Sequence, residues 1–419
     1  MESFRIRGGL PLLGDIETRG SKNTILPAIA AALLTEEPVI LENVPGISDV
    51  AVMVDIIKKL GATVLWEKSQ HRLTIEAKEL KNADIDENLA RKFRGSVLFA
   101  GALLGRFRKV TFPYPGGDVI GARPLTTHLA ALESLGVRIQ DNGRVALDGA
   151  NLAGGVVLME EPSVTATENT ILAAVLAPGK TEIRLAACEP HVQEIVRMLQ
   201  KMGARVQWKN FGSLEIEGVS ILRGVRYRIN PDELEISSFA ALAAATKSEI
   251  TIRGIAAEYL DAVFLQLNKM GVAFKLYDDV LAILKPKKQY QGFRVQSGLY
   301  PKLVTDHLPP FAALATQANG PSLIHEWMYE GRLRYVEELQ KMGADAKILD
   351  PHRALINGPT PLHGSRIASV DIRTGMTLVI AALIAEGETV ISGVDHIDRG
   401  YEKLDERLCA LGASIERVA

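Results

Sequence analysis

The chain has 419 residues, nearly half of them apolar, and a formal net charge of −2. That length holds two or three domains with sizeable cores, and that composition excludes a disordered chain. The near-neutral charge excludes a global field for nucleic acid or an anionic membrane, so an anionic ligand requires cations gathered locally.

In chain order, an opening strand over 4–16 leads into a repeating pattern. A helix apolar nearly all round spans 24–34, and others of the same kind fall at 95–104, 169–176, 238–245, 310–315 and 376–385. A helix without a polar face is buried on all sides. Each is followed by a Val/Ile/Thr-rich strand, such as Glu249-Ile250-Thr251-Ile252, and then by an amphipathic helix. Val192, Ile195, Val196, Leu199 and Met202 show the 3.6-residue stripe of these second helices. Each stripe ends in a Leu/Met-Gly-Ala/Val tripeptide, at Gly61, Gly136, Gly203, Gly271, Gly343 and Gly412, about 70 residues apart. The glycine reads as a helix stop, and a short strand such as Thr63-Val64-Leu65 follows. Six copies of one unit imply two domains, each with three buried helices inside a ring of sheets. The expected lobes are 22–230, carrying a mobile loop over 113–124, and 1–21 plus 231–419. The opening strand is expected to pair with the last copy.

Basic residues collect where these helices begin. Lys22, Arg94 and Arg373 lie at buried helices, and Arg123, Arg332 and Arg399 at the starts of amphipathic ones. A cation there opposes the helix dipole by tenths of a kcal/mol, and a bound anion reverses the sign. Six such positions in one repeat point to a shared polyanion site between the lobes. The loop Pro113-Tyr114-Pro115-Gly116-Gly117-Asp118-Val119-Ile120-Gly121-Ala122-Arg123-Pro124 adds a carboxylate, Asp118, beside turn residues.

Cys188 and Cys409 make neither a disulfide framework nor a metal set, and both read as core thiols. The start lacks a signal-like apolar segment, and no run approaches the roughly 20 apolar residues that span a bilayer. A soluble cytoplasmic protein is expected, with no metal and no other cofactor.

Gly20-Ser21-Lys22-Asn23, the Pro-Gly-Gly-Asp-Val-Ile-Gly-Ala-Arg-Pro loop, Tyr329-Glu330-Gly331-Arg332, Asp371-Ile372-Arg373 and His396-Ile397-Asp398-Arg399-Gly400-Tyr401 resemble the bacterial UDP-N-acetylglucosamine enolpyruvyl transferases, from Phe4 to Val418. The resemblance implies an α/β fold, the two-lobed inside-out α/β barrel of six βαβαββ-type repeats, three per lobe. It implies transfer of enolpyruvate from phosphoenolpyruvate to the 3′-hydroxyl of UDP-N-acetylglucosamine. A monomer is expected, and the charge and composition give no nucleic-acid or membrane partner. The transfer reaction serves peptidoglycan synthesis and, through it, cell shape and division.

By the same resemblance Lys22, Arg123 and Arg399 clamp phosphoenolpyruvate, with Arg94, Arg332 and Arg373 supporting. Asn23 and Asp306 hold the sugar 3′-hydroxyl, with Asp306 as base. Arg123, Pro124, Leu125, Thr126 and Thr127, with Ser163, Val164 and Thr165, hold the uridine diphosphate, and Thr305 and Glu330 complete the site. Many members carry a cysteine, alkylated by fosfomycin, where this chain has Asp118, so an active enzyme resistant to fosfomycin is expected. His191, Glu233, Thr165, Gly331 and Thr126-Thr127 also depart from the usual residues. His128 and His396 read as structural hydrogen-bonding histidines. The competing readings are a shikimate-3-phosphate enolpyruvyl transferase and a non-catalytic UDP-sugar-binding paralogue.

Overall fold

A computed structural model describes residues 2–117 and 120–419. The chain forms two compact units, one of Gly20–Gly117 and Arg123–Asn230, the other of residues 2–19, 120–122 and Pro231–Ala419. Each has its own continuous apolar core.

Six sheets, five of four strands and one of three, are found among the described residues. They are built on Val39–Glu42, Lys109–Pro113 and Lys180–Arg184 in one unit. In the other they are built on Glu249–Arg253, Gly320–His325 and Glu388–Ser392. In each four-stranded sheet this strand pairs parallel to one neighbour and antiparallel to another, and the antiparallel neighbour carries the outermost strand. The repeated unit is therefore strand, central helix, strand, outer helix and hairpin.

The central helices are Lys22–Ala31, Leu98–Phe107, Val164–Ala174, Glu233–Ala245, Leu308–Ala315 and Ile372–Ile384. Every residue of Glu233–Ala245 and Leu308–Ala315 is buried. Two helices begin five residues before the apolar pattern does. Thr167, Glu168, Glu233 and Glu235 are polar yet buried, and apolar periodicity passes over them. The six repeated glycines all take left-handed backbone angles, with φ from 78° to 108°. They end the outer helices, as their spacing implies.

The opening segment is two strands rather than one. Ser3–Arg7 lies between Glu388–Ser392 and Ser414–Val418 in the last sheet. Leu13–Glu17 joins Glu249–Arg253 in a different sheet. Gly8-Gly9 and Pro11 break the run. A Cβ on Gly8 would lie 2.2 Å from the Ala382 carbonyl oxygen.

Candidate active site

In the unit carrying the termini, the cations come with their own carboxylates. Asp371 caps Ile372–Ile384, accepting from the backbone N–H of Arg373 at 2.9 Å and of Thr374 at 3.0 Å. The Arg373 side chain then turns to Asp306, donating from Nε at 3.1 Å, and to the Tyr401 hydroxyl at 3.2 Å. Arg332 also donates to Asp306 and lies 3.7 Å from Asp371. Both guanidiniums are about 4 % exposed, whereas the Asp306 side chain is 28 % exposed. Burial works against the charge of Arg332, but Asp306, Asp371 and Glu326 outweigh it and raise its pKa. Beside this cluster Thr305 donates to buried Glu326 at 2.6 Å. The helix-dipole cost assigned to Arg373 is thus met by internal carboxylates.

The loop is held at both ends of its described part. A Cβ on Gly116 would lie 1.8 Å from the Arg91 carbonyl oxygen. On Gly117, at φ 127°, it would approach Arg94 Cβ to 3.1 Å and Arg123 Nη2 to 3.4 Å, so a glycine leaves room for both arginines beside the loop. Arg94 donates to the Pro124 carbonyl at 3.1 Å. Further on, Glu330 Oε1 accepts from Ala122 N–H at 2.9 Å, which holds its carboxyl below the usual range. Gly331 N–H donates to the Ile120 carbonyl. Asp118, the expected acid, lies outside the described residues.

In the other unit Lys22 opens its helix and sits 3.0 Å from buried Asp49. Ser21 caps that helix, and half-buried Asn23 follows. Leu125 and Thr127 are buried, while Pro124 and Thr126 are exposed at the start of Thr126–Glu133. Ser163 precedes Val164–Ala174 and accepts from Thr167 N–H through its carbonyl at 3.0 Å, but its side chain makes no cap.

The next contact follows from an amide whose direction is fixed. Gly101 N–H donates to Asn169 Oδ1 at 2.8 Å, so Asn169 Nδ2 donates to Val97 O and to His128 Nδ1 at 3.0 Å. The proton of neutral His128 then sits on Nε2 and is donated to Thr165 Oγ1 at 3.1 Å. Burial, helped by Arg94, pushes the pKa of His128 down to about 3. His128 is a structural hydrogen-bonding residue, as read from the sequence. His396 lies half-buried in the short helix Val394–Asp398.

Two sequence readings need correction. Arg399 follows the end of Val394–Asp398 instead of opening an outer helix; Gly400 and Lys403, at φ 45°, separate it from Leu404–Ala410. Cys409 is exposed on that last helix, so only Cys188 is a core thiol. Apolar neighbours in sequence made Cys409 look internal, but its helix turns it outward. Asp49 and Glu326 were not singled out, and Asp371 and Tyr401 stood only inside quoted motifs, without a role. Asp371 had a visible signal, a capping residue before an apolar run; Asp49 had none.

Residues 6–408 match the family described as EPSP synthase (3-phosphoshikimate 1-carboxyvinyltransferase). The UDP-N-acetylglucosamine 1-carboxyvinyltransferase of Treponema denticola is 44% identical, covering 99% of both chains. That of Bradyrhizobium diazoefficiens is 42% identical, covering 99% of this chain and 98% of its own. The chain belongs to this family, among the UDP-N-acetylglucosamine 1-carboxyvinyltransferases. The crystal structure of the enolpyruvyl transferase NikO from Streptomyces tendae superposes with a TM-score of 0.92 at 25% identity, covering 100% of this chain and 99% of that one. The fold is that of the enolpyruvyl transferases. Lys22 and Arg373 stand in the first turns of two of the central helices. Among the described residues, no helix is long and apolar enough to cross a membrane.

Proposed function

We infer that the protein transfers enolpyruvate from phosphoenolpyruvate to the 3′-hydroxyl of UDP-N-acetylglucosamine, with release of phosphate, as the first committed step of peptidoglycan synthesis. The observation that carries this is identity above 40% along essentially the whole of relatives bearing that name. The shikimate-3-phosphate reading is not favoured.

In the proposed reaction an acid protonates C3 of phosphoenolpyruvate, and the sugar oxygen attacks C2 as its proton passes to a base. A proton then leaves C3 of the tetrahedral ketal as phosphate departs. Asp118 is proposed as the acid and Asp306 as the base. Lys22, Arg123 and Arg399 bind the phosphate and carboxylate, and Arg94, Arg332 and Arg373 spread the remaining charge. Asn23 orients the 3′-hydroxyl, and 123–127 with 163–165 hold the nucleotide. Support comes from the pairing of Asp306 with Arg332 and Arg373, since an arriving anion that takes over those cations frees the carboxylate to act as a base. The enzyme is further proposed to work as a cytoplasmic monomer, to serve cell-wall growth and division, and to resist fosfomycin, because residue 118 is an aspartate.

Phosphate release tests the reading directly. It is expected with phosphoenolpyruvate plus UDP-N-acetylglucosamine, not with shikimate 3-phosphate, and fosfomycin is expected to leave both the rate and the intact mass unchanged. Nucleotide-sugar binding without phosphate release would instead mark a non-catalytic paralogue, and a fosfomycin adduct would refute the resistance.

A further inference from the structure

A cavity of about 380 Å³ lies among the outer helix Asp261–Met270, the strand Arg294–Gln296 and residues 301–303, and shares no residue with the candidate site. Its volume is in the range of small-molecule sites. Asp261, Leu265 and Lys269 stand four apart, so one face of the helix forms a wall. Three cations reach the cavity from three separate elements: Lys269, Arg294 and Lys302. No ion pair found among the described residues involves any of the three. Elsewhere on this surface arginines commonly have such a partner, as Arg253 has Asp15 at 2.7 Å and Arg353 has Asp350 at 2.6 Å.

The same wall holds a second unmet group. Gln266 is only 6 % exposed, and its Nε2 makes one long contact, 3.5 Å, to the Ala262 carbonyl. Its Oε1 has no partner among the described residues. An amide bonded that weakly turns about its last torsion at little cost, and a ligand hydroxyl supplies the donor that Oε1 lacks. Asp261 lies about 12 Å along the helix from Lys269, so the cationic and acidic ends are separated. Leu303 and Leu265 add apolar wall between them.

We propose that this cavity is a second ligand site, for a small phosphate ester with a hydroxylated body. The phosphate faces Lys269, Arg294 and Lys302 in charge-assisted hydrogen bonds, and the hydroxyls reach Gln266 and Asp261. This does not depend on the enolpyruvyl transfer reading.

Titration calorimetry on the full chain, with UDP-N-acetylglucosamine saturating, tests the proposal with glucose 6-phosphate, inorganic phosphate and glucose as separate probes. Glucose 6-phosphate is expected to bind one-to-one, about tenfold or more tighter than either fragment. Lys269→Ala combined with Lys302→Ala is expected to weaken it by about tenfold or more, with an unchanged melting temperature. Arg294→Gln, on a different element, is expected to weaken it too. Gln266→Leu is expected to lose most of the advantage over inorganic phosphate. No saturable binding by the parent chain, or an affinity unmoved by the double substitution or by Arg294→Gln, overturns the proposal.

Discussion

Asp306 accepts hydrogen bonds from two almost wholly buried guanidiniums, Arg332 and Arg373. A carboxylate so held is a counter-ion until another anion takes over those cations, and Asp306→Asn separates the two roles. As the proposed base, its loss is expected to lower kcat by roughly 10²–10⁴-fold. As an internal competitor for the cations, its loss is expected to leave KM for phosphoenolpyruvate unchanged or lower. A KM that rises more than kcat falls would count against this account. The stability cost is expected at about 1–3 kcal/mol in urea unfolding, because Arg332 keeps Asp371 and the amide still accepts a hydrogen bond. At this scale the sequence displayed the cations and, in Asp306 and Asp371, two of their partners, but it hid the partner of Lys22. Lys22 and Arg373 were legible because they precede apolar runs. Asp49 lies in the next helix along the chain, and nothing in its neighbours announces a lysine 3.0 Å away.

A helix that is buried all round must also bury whatever polar residues its sequence contains. Val164–Ala174 buries Glu168 completely, and its Oε1 finds no hydrogen-bond partner among the described residues. Burial pushes its pKa up to about 8, partly offset by His191 and reinforced by Glu189. The folded chain therefore keeps a proton that the unfolded chain, with a pKa near 4.5, releases. Stability from this group is present below pH 4.5 and is lost as pH rises to about 8, by on the order of 1 kcal/mol per unit. Glu168→Gln is expected to raise the melting temperature at pH 8 and leave it unchanged at pH 4.5; equal shifts at both would refute this. Glycines in the same elements separate two costs. Gly203→Ala meets open space, so only its φ of 100° resists, at about 1–2 kcal/mol. Gly101→Ala gains helix propensity, but its Cβ would fall 2.2 Å from the Asn169 carbonyl oxygen of a neighbouring helix. Chemical denaturation should therefore rank Gly101→Ala worse, by about 3 kcal/mol or more. The glycine that stops a helix was legible from its period. The one that lets two helices touch was not, because nothing local in sequence encodes its partner.

The six-fold repeat was legible because one steric requirement, a left-handed residue after each outer helix, returns about every 70 residues. What the period hides is where the chain is cut. In the other four-stranded sheets the two outer antiparallel strands are successive in sequence, as Phe274–Tyr277 and Val280–Ile283 are. In the last sheet that hairpin is open: Ser414–Val418 supplies one strand and Ser3–Arg7 the other, with Ser3 opposite Val418. Phe4 and Ile6 are fully buried there, so the first strand is a core element of a sheet whose other strands come from the far end of the chain. Joining 419 to 2 through a short turn would then restore the hairpin found in the other copies, and new ends cut at exposed Asn142-Gly143 would open only a surface turn between two strands. This permuted chain is expected to keep its phosphate-release rate and to unfold no more easily than the parent. Deleting residues 2–9 instead removes the shared strand, and is expected to unfold the terminus-bearing unit at lower temperature while the core of 20–117 and 123–230 persists. Thermal unfolding followed by limited proteolysis distinguishes these outcomes, and a deleted chain that melts in one step with the parent would show that the N-terminal strand does not hold its sheet together.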